Sequence, residues 1–88
     1  MSGEYEYIEE GARLRHQSVR QVTRWFDFRH LADGKPRVVS ARVADLAGDI
    51  LAMIPADDPE LTAGLRKLLE AKDCFVRAAI ASQTQATQ

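Results

Sequence analysis

Cysteine occurs once in the 88 residues, at Cys74, so no disulfide can close within the chain. Histidine occurs twice, at His16 and His30, far apart and without the spacing of a metal-ligand set, which removes structural zinc. No apolar run approaches the roughly 18 residues of a membrane span. The first seven residues, Met1 to Tyr7, are acidic where a leader would be basic. The charge is nearly balanced, at −1, so the whole molecule offers no long-range attraction for nucleic acid or an anionic membrane. These absences predict a cytoplasmic protein with no metal, no cofactor, no DNA partner and no membrane partner. Catalytic constellations are also missing. No nucleophile stands beside a base, Asp57 and Asp58 are explained by helix capping, and Cys74 fits a half-buried structural thiol. The chain is therefore expected not to be an enzyme.

What is present describes a folded helical chain, with hydrophobic residues at 45% and charged residues at 28%. A core this small supplies only about 3–5 kcal/mol, which favours self-association. Apolar residues Ile8, Ala12, Leu14, Val19, Val22, Trp25 and Phe26 recur at an irregular helical spacing and predict a first helix over 8–28. The Asp33-Gly34 and Pro36 turn signals follow. Val39, Val43, Leu46, Ala47, Ile50, Leu51 and Ile54 then form an amphipathic stripe over 38–54. Asp58 suits an N-cap and Pro59 the first helical position, which opens a third helix over 59–81. Its seam runs through Leu61, Leu65, Leu68, Lys72, Val76, Ala79 and Ile80, and Arg66 with Glu70 and Asp73 with Arg77 are spaced as ion pairs.

The expected fold is all-α: one N-terminal helix and an antiparallel two-helix hairpin over 38–81, in a single domain over 8–81. Residues 1–7 and 82–88 are expected to be flexible. A short connection makes neighbouring helices antiparallel. Helices of about 25 and 35 Å leave Val76, Ala79 and Ile80 on an overhang, to be covered by the first helix or by a second subunit. Oligomerisation is the resulting expectation.

Trp25-Phe26-Asp27-Phe28-Arg29-His30 concentrates three aromatic rings beside Arg24 and Arg29, a composition able to stack a base and neutralise a phosphate. Core packing is the favoured role for Trp25 and Phe26, while Phe28 stands open between core and ligand face. His30 suits a helix C-terminus. Lys35, Arg37 and Arg42 suit a solvated face, with Arg42 placed to reach an anion over the hairpin edge. Thr62 offers a hydroxyl near the start of the third helix.

Three groups of residues carry a family resemblance: 25–31 (Trp25-Phe26-Asp27-Phe28-Arg29-His30-Leu31), Val39-Ser40 with Asp45-Leu46-Ala47, and the run from Pro59-Glu60-Leu61-Thr62 through Leu68-Leu69-Glu70-Ala71-Lys72-Asp73-Cys74-Phe75-Val76-Arg77-Ala78. Together they resemble the phage-encoded family whose helical hairpin is shared by anti-CBASS and anti-Thoeris cyclic-nucleotide sponges. The resemblance covers about 25–81. It implies a non-enzymatic protein that sequesters cyclic oligonucleotide second messengers, cyclic dinucleotides foremost, in the host cytoplasm during infection. It also implies a helical homo-oligomer, commonly a hexamer, with ligand pockets between protomers. By the same resemblance Phe28 is the stacking ring and Arg42 the phosphate-binding cation. Trp25, Lys35 and Thr62 complete the candidate ligand-binding set. The rival expectation is a helical oligomerisation or adaptor module that makes protein contacts only.

Overall fold

A computed structural model describes the backbone of residues 3–86 and the side chains of residues 7–83. Four α-helices follow one another: α1 (Gly3–Ala12), α2 (Gln17–Thr23), α3 (Lys35–Met53) and α4 (Pro59–Ala86), with one turn of 3-10 helix at Arg24–Phe26 directly after α2. No strand occurs among the described residues. None of these helices is long and apolar enough to cross a membrane.

The predicted first helix is two helices. Its apolar spacing is two and five residues on either side of Leu14, and the chain breaks there, leaving Leu14 84% exposed. Turn-type bonds from Arg13 N to Glu10 O and from Arg15 N to Ala12 O close α1. The His16 ring then caps α2 by accepting from Ser18 N at 3.1 Å. Helix also begins earlier than expected, since α1 starts at Gly3 and Tyr7 is engaged with α3. At the other end α4 continues through Ser82 to Ala86.

Asp58 caps α4 as its sequence suggests: Oδ1 accepts from Glu60 N at 2.8 Å, and its carbonyl accepts from Leu61 N at 2.9 Å. At the far end of the pair, Lys35 Nζ at the start of α3 donates to Ser82 Oγ near the end of α4 (3.3 Å). With the 54–58 connection joining the opposite ends, α3 and α4 run antiparallel. α3 begins at Lys35 rather than 38 and so reaches alongside Val76, Ala79 and Ile80 as far as Ser82, while α4 runs on past it to Ala86. Ala79 is buried, and Val76 lines a small cavity with His30 and Leu31. The linker therefore shields part of the stretch for which the first helix or a second subunit was expected.

α3 lies between α1 and α4 and packs against both. Its most buried residues are small, Ser40, Ala41, Ala44, Ala47 and Gly48, together with Leu51. Small side chains let two neighbours approach closely, and a Cβ on Gly48 would lie 2.7 Å from the Tyr7 ring. The larger residues of the predicted stripe are displaced toward a flank: Val39, Val43 and Ile50 are half-buried, while Leu46 and Ile54 are exposed. With Met53 they form a run at steps of four, three, four and three: 39, 43, 46, 50, 53. α4 carries a second run of its own, Leu68, Ala71, Phe75 and Ala78, at steps of three, four and three. Helical register places both runs along the line where α3 meets α4, on the side turned from α1 and α2. The core proper is built by Ile8, Val19, Val22, Phe26, Phe28, Leu51, Leu61 and Leu65.

Two smaller expectations change. Asp73 pairs with Lys72 at 3.1 Å instead of Arg77, and no Arg66–Glu70 pair forms. Cys74 is exposed rather than half-buried, with Arg77 donating to its Sγ at 3.4 Å.

Candidate functional site

The linker after the 3-10 turn and the first two turns of α3 enclose a cavity of about 420 Å³, lined by Phe28, Asp33, Gly34, Arg37, Val38, Ala41 and Arg42. Local sequence explains the shape. Gly34 adopts φ 142°, a left-handed value that a side chain resists, and this admits the chain into α3. Gly34 has no side chain with which to cap the helix, and Pro36 follows in the first turn. The positive end of the α3 dipole is thus left without a capping side chain, with three cations, Lys35, Arg37 and Arg42, in its first eight residues.

Phe28 and Arg42, the two residues singled out by resemblance, line this one cavity. Their roles differ from the expectation in one respect. Phe28 is 1% exposed and belongs to the core, and the Arg37 guanidinium sits 5.8 Å from its ring centroid. The ring therefore forms part of the wall and presents no open face for stacking. Arg37, which the sequence suggested only as a surface charge, organises the mouth. It donates to Leu31 O at 3.1 Å and lies 3.6 Å from Asp33 Oδ1, a pair spaced by four residues that the sequence could have revealed. Arg42 is exposed at the rim and makes no ion pair with the described carboxylates. The cavity combines two guanidinium groups, one solvated carboxylate and a helix start, an arrangement that accepts a phosphate or another anion. It contains no nucleophile and base in hydrogen-bonding distance.

The other three candidates lie elsewhere. Lys35 is directed to Ser82. Thr62 Oγ1 is 3.3 Å from Ser18 Oγ, in a different hollow at the hairpin turn. Trp25 is not core: it is 58% exposed, with the Arg24 guanidinium 4.9 Å from its ring. Its carbonyl accepts from Lys72 Nζ at 3.2 Å, a bond that accounts for a buried lysine in the α4 seam. His30 lies within the turn closed by Leu31 N and Phe28 O rather than at a helix end, and it lines the small cavity beside Lys72.

No protein-family model, curated protein or solved structure matches this chain.

Sequence reasoning missed Arg15. Its guanidinium donates to Asp57 Oδ1 at 2.6 Å, Leu51 O at 3.1 Å and Ile54 O at 2.8 Å, and so satisfies carbonyls at the end of α3. His16 N donates to Asp57 Oδ2 at 2.8 Å. The His16 amide first, and the Arg15 side chain second, hold the Asp57 carboxyl below the ordinary carboxylate range. Asp27 is lowered in the same way by Arg29, whose side chain and amide both donate to it. The Tyr7 phenol is pushed up chiefly by donating its proton to Asp49. The Asp57 and Tyr7 shifts come from interactions that tie elements together and the Asp27 shift from a local pair within the linker, and none marks a group poised for proton transfer.

Proposed function

We propose that the protein is a non-enzymatic sponge that binds and sequesters cyclic oligonucleotide second messengers, cyclic dinucleotides foremost, in shared pockets of a homo-oligomer. The observation that carries the reading is the cavity at the uncapped start of α3, where Arg37 and Arg42 stand beside Phe28. A cyclic dinucleotide has two phosphates and two bases. A symmetric assembly meets the two phosphates with one copy of this cavity from each of two subunits. The paired apolar runs on the hairpin flank supply a surface for such an assembly, and the hexamer implied by the family resemblance belongs to this proposal.

Calorimetry with a panel of cyclic di- and trinucleotides tests the reading. Binding at the cavity should weaken about ten- to hundredfold in Arg42→Ala, the loss expected for one charge-assisted hydrogen bond. Phe28→Ala would hollow out the core, so Phe28→Leu is the informative change there: it keeps apolar volume and removes the ring. Ligand recovered after denaturation should be chemically intact, and recovery of linear products would reject sequestration in favour of turnover.

A second reading, an oligomerisation or adaptor module making protein contacts only, is favoured by the burial of Phe28 and the open hairpin flank. Absence of heat with every cyclic nucleotide from a chain that nonetheless self-associates would select it.

A further inference from the structure

A separate stretch of surface, on α2 and the facing side of α4, has its own chemistry. A cavity of about 250 Å³ between α1 and α2 takes Arg13, Arg20 and Arg24 into its wall, with Glu9 as the acid among its lining residues. A second hollow of about 370 Å³ is lined by Gln21, Arg24, Trp25 and Arg66. Arg24 lines both, so the two hollows adjoin at its side chain and are taken together as one groove. Arg66 in turn lines the 560 Å³ hollow at the hairpin turn, whose one carboxylate, Asp57, is taken up by Arg15 and the His16 amide. Arg13 pairs with Glu10 at 3.0 Å. Among the described residues, Arg20, Arg24 and Arg66 meet no carboxylate. Within the groove stands the exposed Trp25 indole, beside the Arg24 guanidinium.

We infer that this groove binds single-stranded nucleic acid, with a base stacked on Trp25 and successive phosphates held by Arg20, Arg24 and Arg66. Cations strung along connected hollows follow an extended polyanion better than a compact anion, and an open aromatic ring among them suits an unpaired base. A protein of net charge −1 draws such a strand by no long-range field. Affinity then comes from a few local contacts and depends on salt accordingly. The groove shares no residue with the Phe28 and Arg42 cavity, so the two sites stand or fall separately.

Trp25 is the sole tryptophan, so its fluorescence reports the stack directly. Titration with a short oligothymidylate should quench it saturably. A fourfold rise in salt should weaken binding on the order of tenfold, as counterion release from about three phosphates requires. Anisotropy of a fluorescein-labelled strand, with helicity checked by circular dichroism, extends the test to variants. Trp25→Ala should weaken binding about tenfold and Trp25→Phe far less. The Arg20→Ala/Arg24→Ala pair should lose affinity and flatten the salt dependence, while Arg42→Ala binds the strand as the parent does. Three results overturn the inference: no saturable signal from the parent chain, equal affinity in the Trp25→Ala and double-arginine variants, or equally tight binding of a duplex of the same length.

Discussion

At Gly48 the close approach of α1 to α3 rests on a missing methyl group. Two carbons of the Tyr7 ring would stand 2.7 Å from a Cβ there, and the ring is held in place by its hydroxyl, which donates to Asp49 Oδ1 at 2.7 Å. Alanine normally gains about 0.5–1 kcal/mol over glycine inside a helix. Overpacking typically costs about 1–3 kcal/mol, so Gly48→Ala should be net destabilising by about 1 kcal/mol. Gly64 in α4 is the natural contrast, because nothing lies within 4 Å of the Cβ it would acquire. Gly64→Ala should therefore raise stability by about 0.5–1 kcal/mol. Denaturant unfolding of both variants in dilute solution checks the pair, and equal signs would contradict the packing described for Tyr7.

Between elements, Asp57 fastens the corner of α1 and α2 to the turn of the hairpin, through His16 N and the Arg15 side chain. Its carboxyl is lowered on folding, so the unfolded chain binds the proton more readily than the folded one. The stabilisation is complete above the ordinary aspartate range and disappears as pH falls from there through the folded-state value. Asp57→Asn should therefore be less stable than the parent near neutral pH, with the difference shrinking toward zero in acid. A difference independent of pH would mean that the charge is not what Asp57 contributes. Asp27, lowered in the same direction by Arg29, leaves the variant with a residual acid transition.

These same elements show what a sequence can carry. The Asp58-Pro59 start of α4 and the Leu61, Leu65, Lys72 and Ala79 seam were legible, because capping and period are local properties. The break near Leu14 was also present, in the spacings of two and five, although the helical period on either side of it read as one helix. Arg15 left no local sign: its partners lie 36 to 42 residues away and exist only once the hairpin has folded. Trp25 and Phe26 lose their expected equivalence because Phe26 follows Val22 by four residues and Val19 by seven, on the buried face of α2 and its 3-10 extension. Trp25, one residue earlier, is turned off that face and only Phe26 points inward. At the candidate site, Phe28 and Arg42 were found together, but the covering of the ring by Arg37 depends on how the linker folds back.

For the molecule as a whole, the runs of Val39, Val43, Leu46, Ile50 and Met53 and of Leu68, Ala71, Phe75 and Ala78 form an apolar flank, in which Val43, Ile50 and Leu68 pack inward against the core and Leu46, Met53 and Phe75 are exposed. The first extends about 21 Å at the helical rise per residue. Two helices of about 10 Å diameter then give a flank of roughly 400 Å², within the size of the largest apolar patch that a single soluble chain usually carries. Steps of three and four on adjoining helices suit a second helix pair laid against them, and the small Ala71 and Ala78 alternate with the large Leu68 and Phe75, as interdigitation requires. Two copies joined by this flank would make a four-helix layer with α1 and α2 outside it and the cavity at the start of α3 near the edge of the contact. Light-scattering mass over a range of concentrations should show the parent chain assembling. A Leu46→Glu/Phe75→Glu variant, changed only at exposed positions, should stay a single folded chain at concentrations where the parent is associated. If the variant assembles as the parent does, the association uses another surface; if the parent remains a single chain throughout, shared pockets are lost, and cyclic nucleotides would have to be held by one cavity alone.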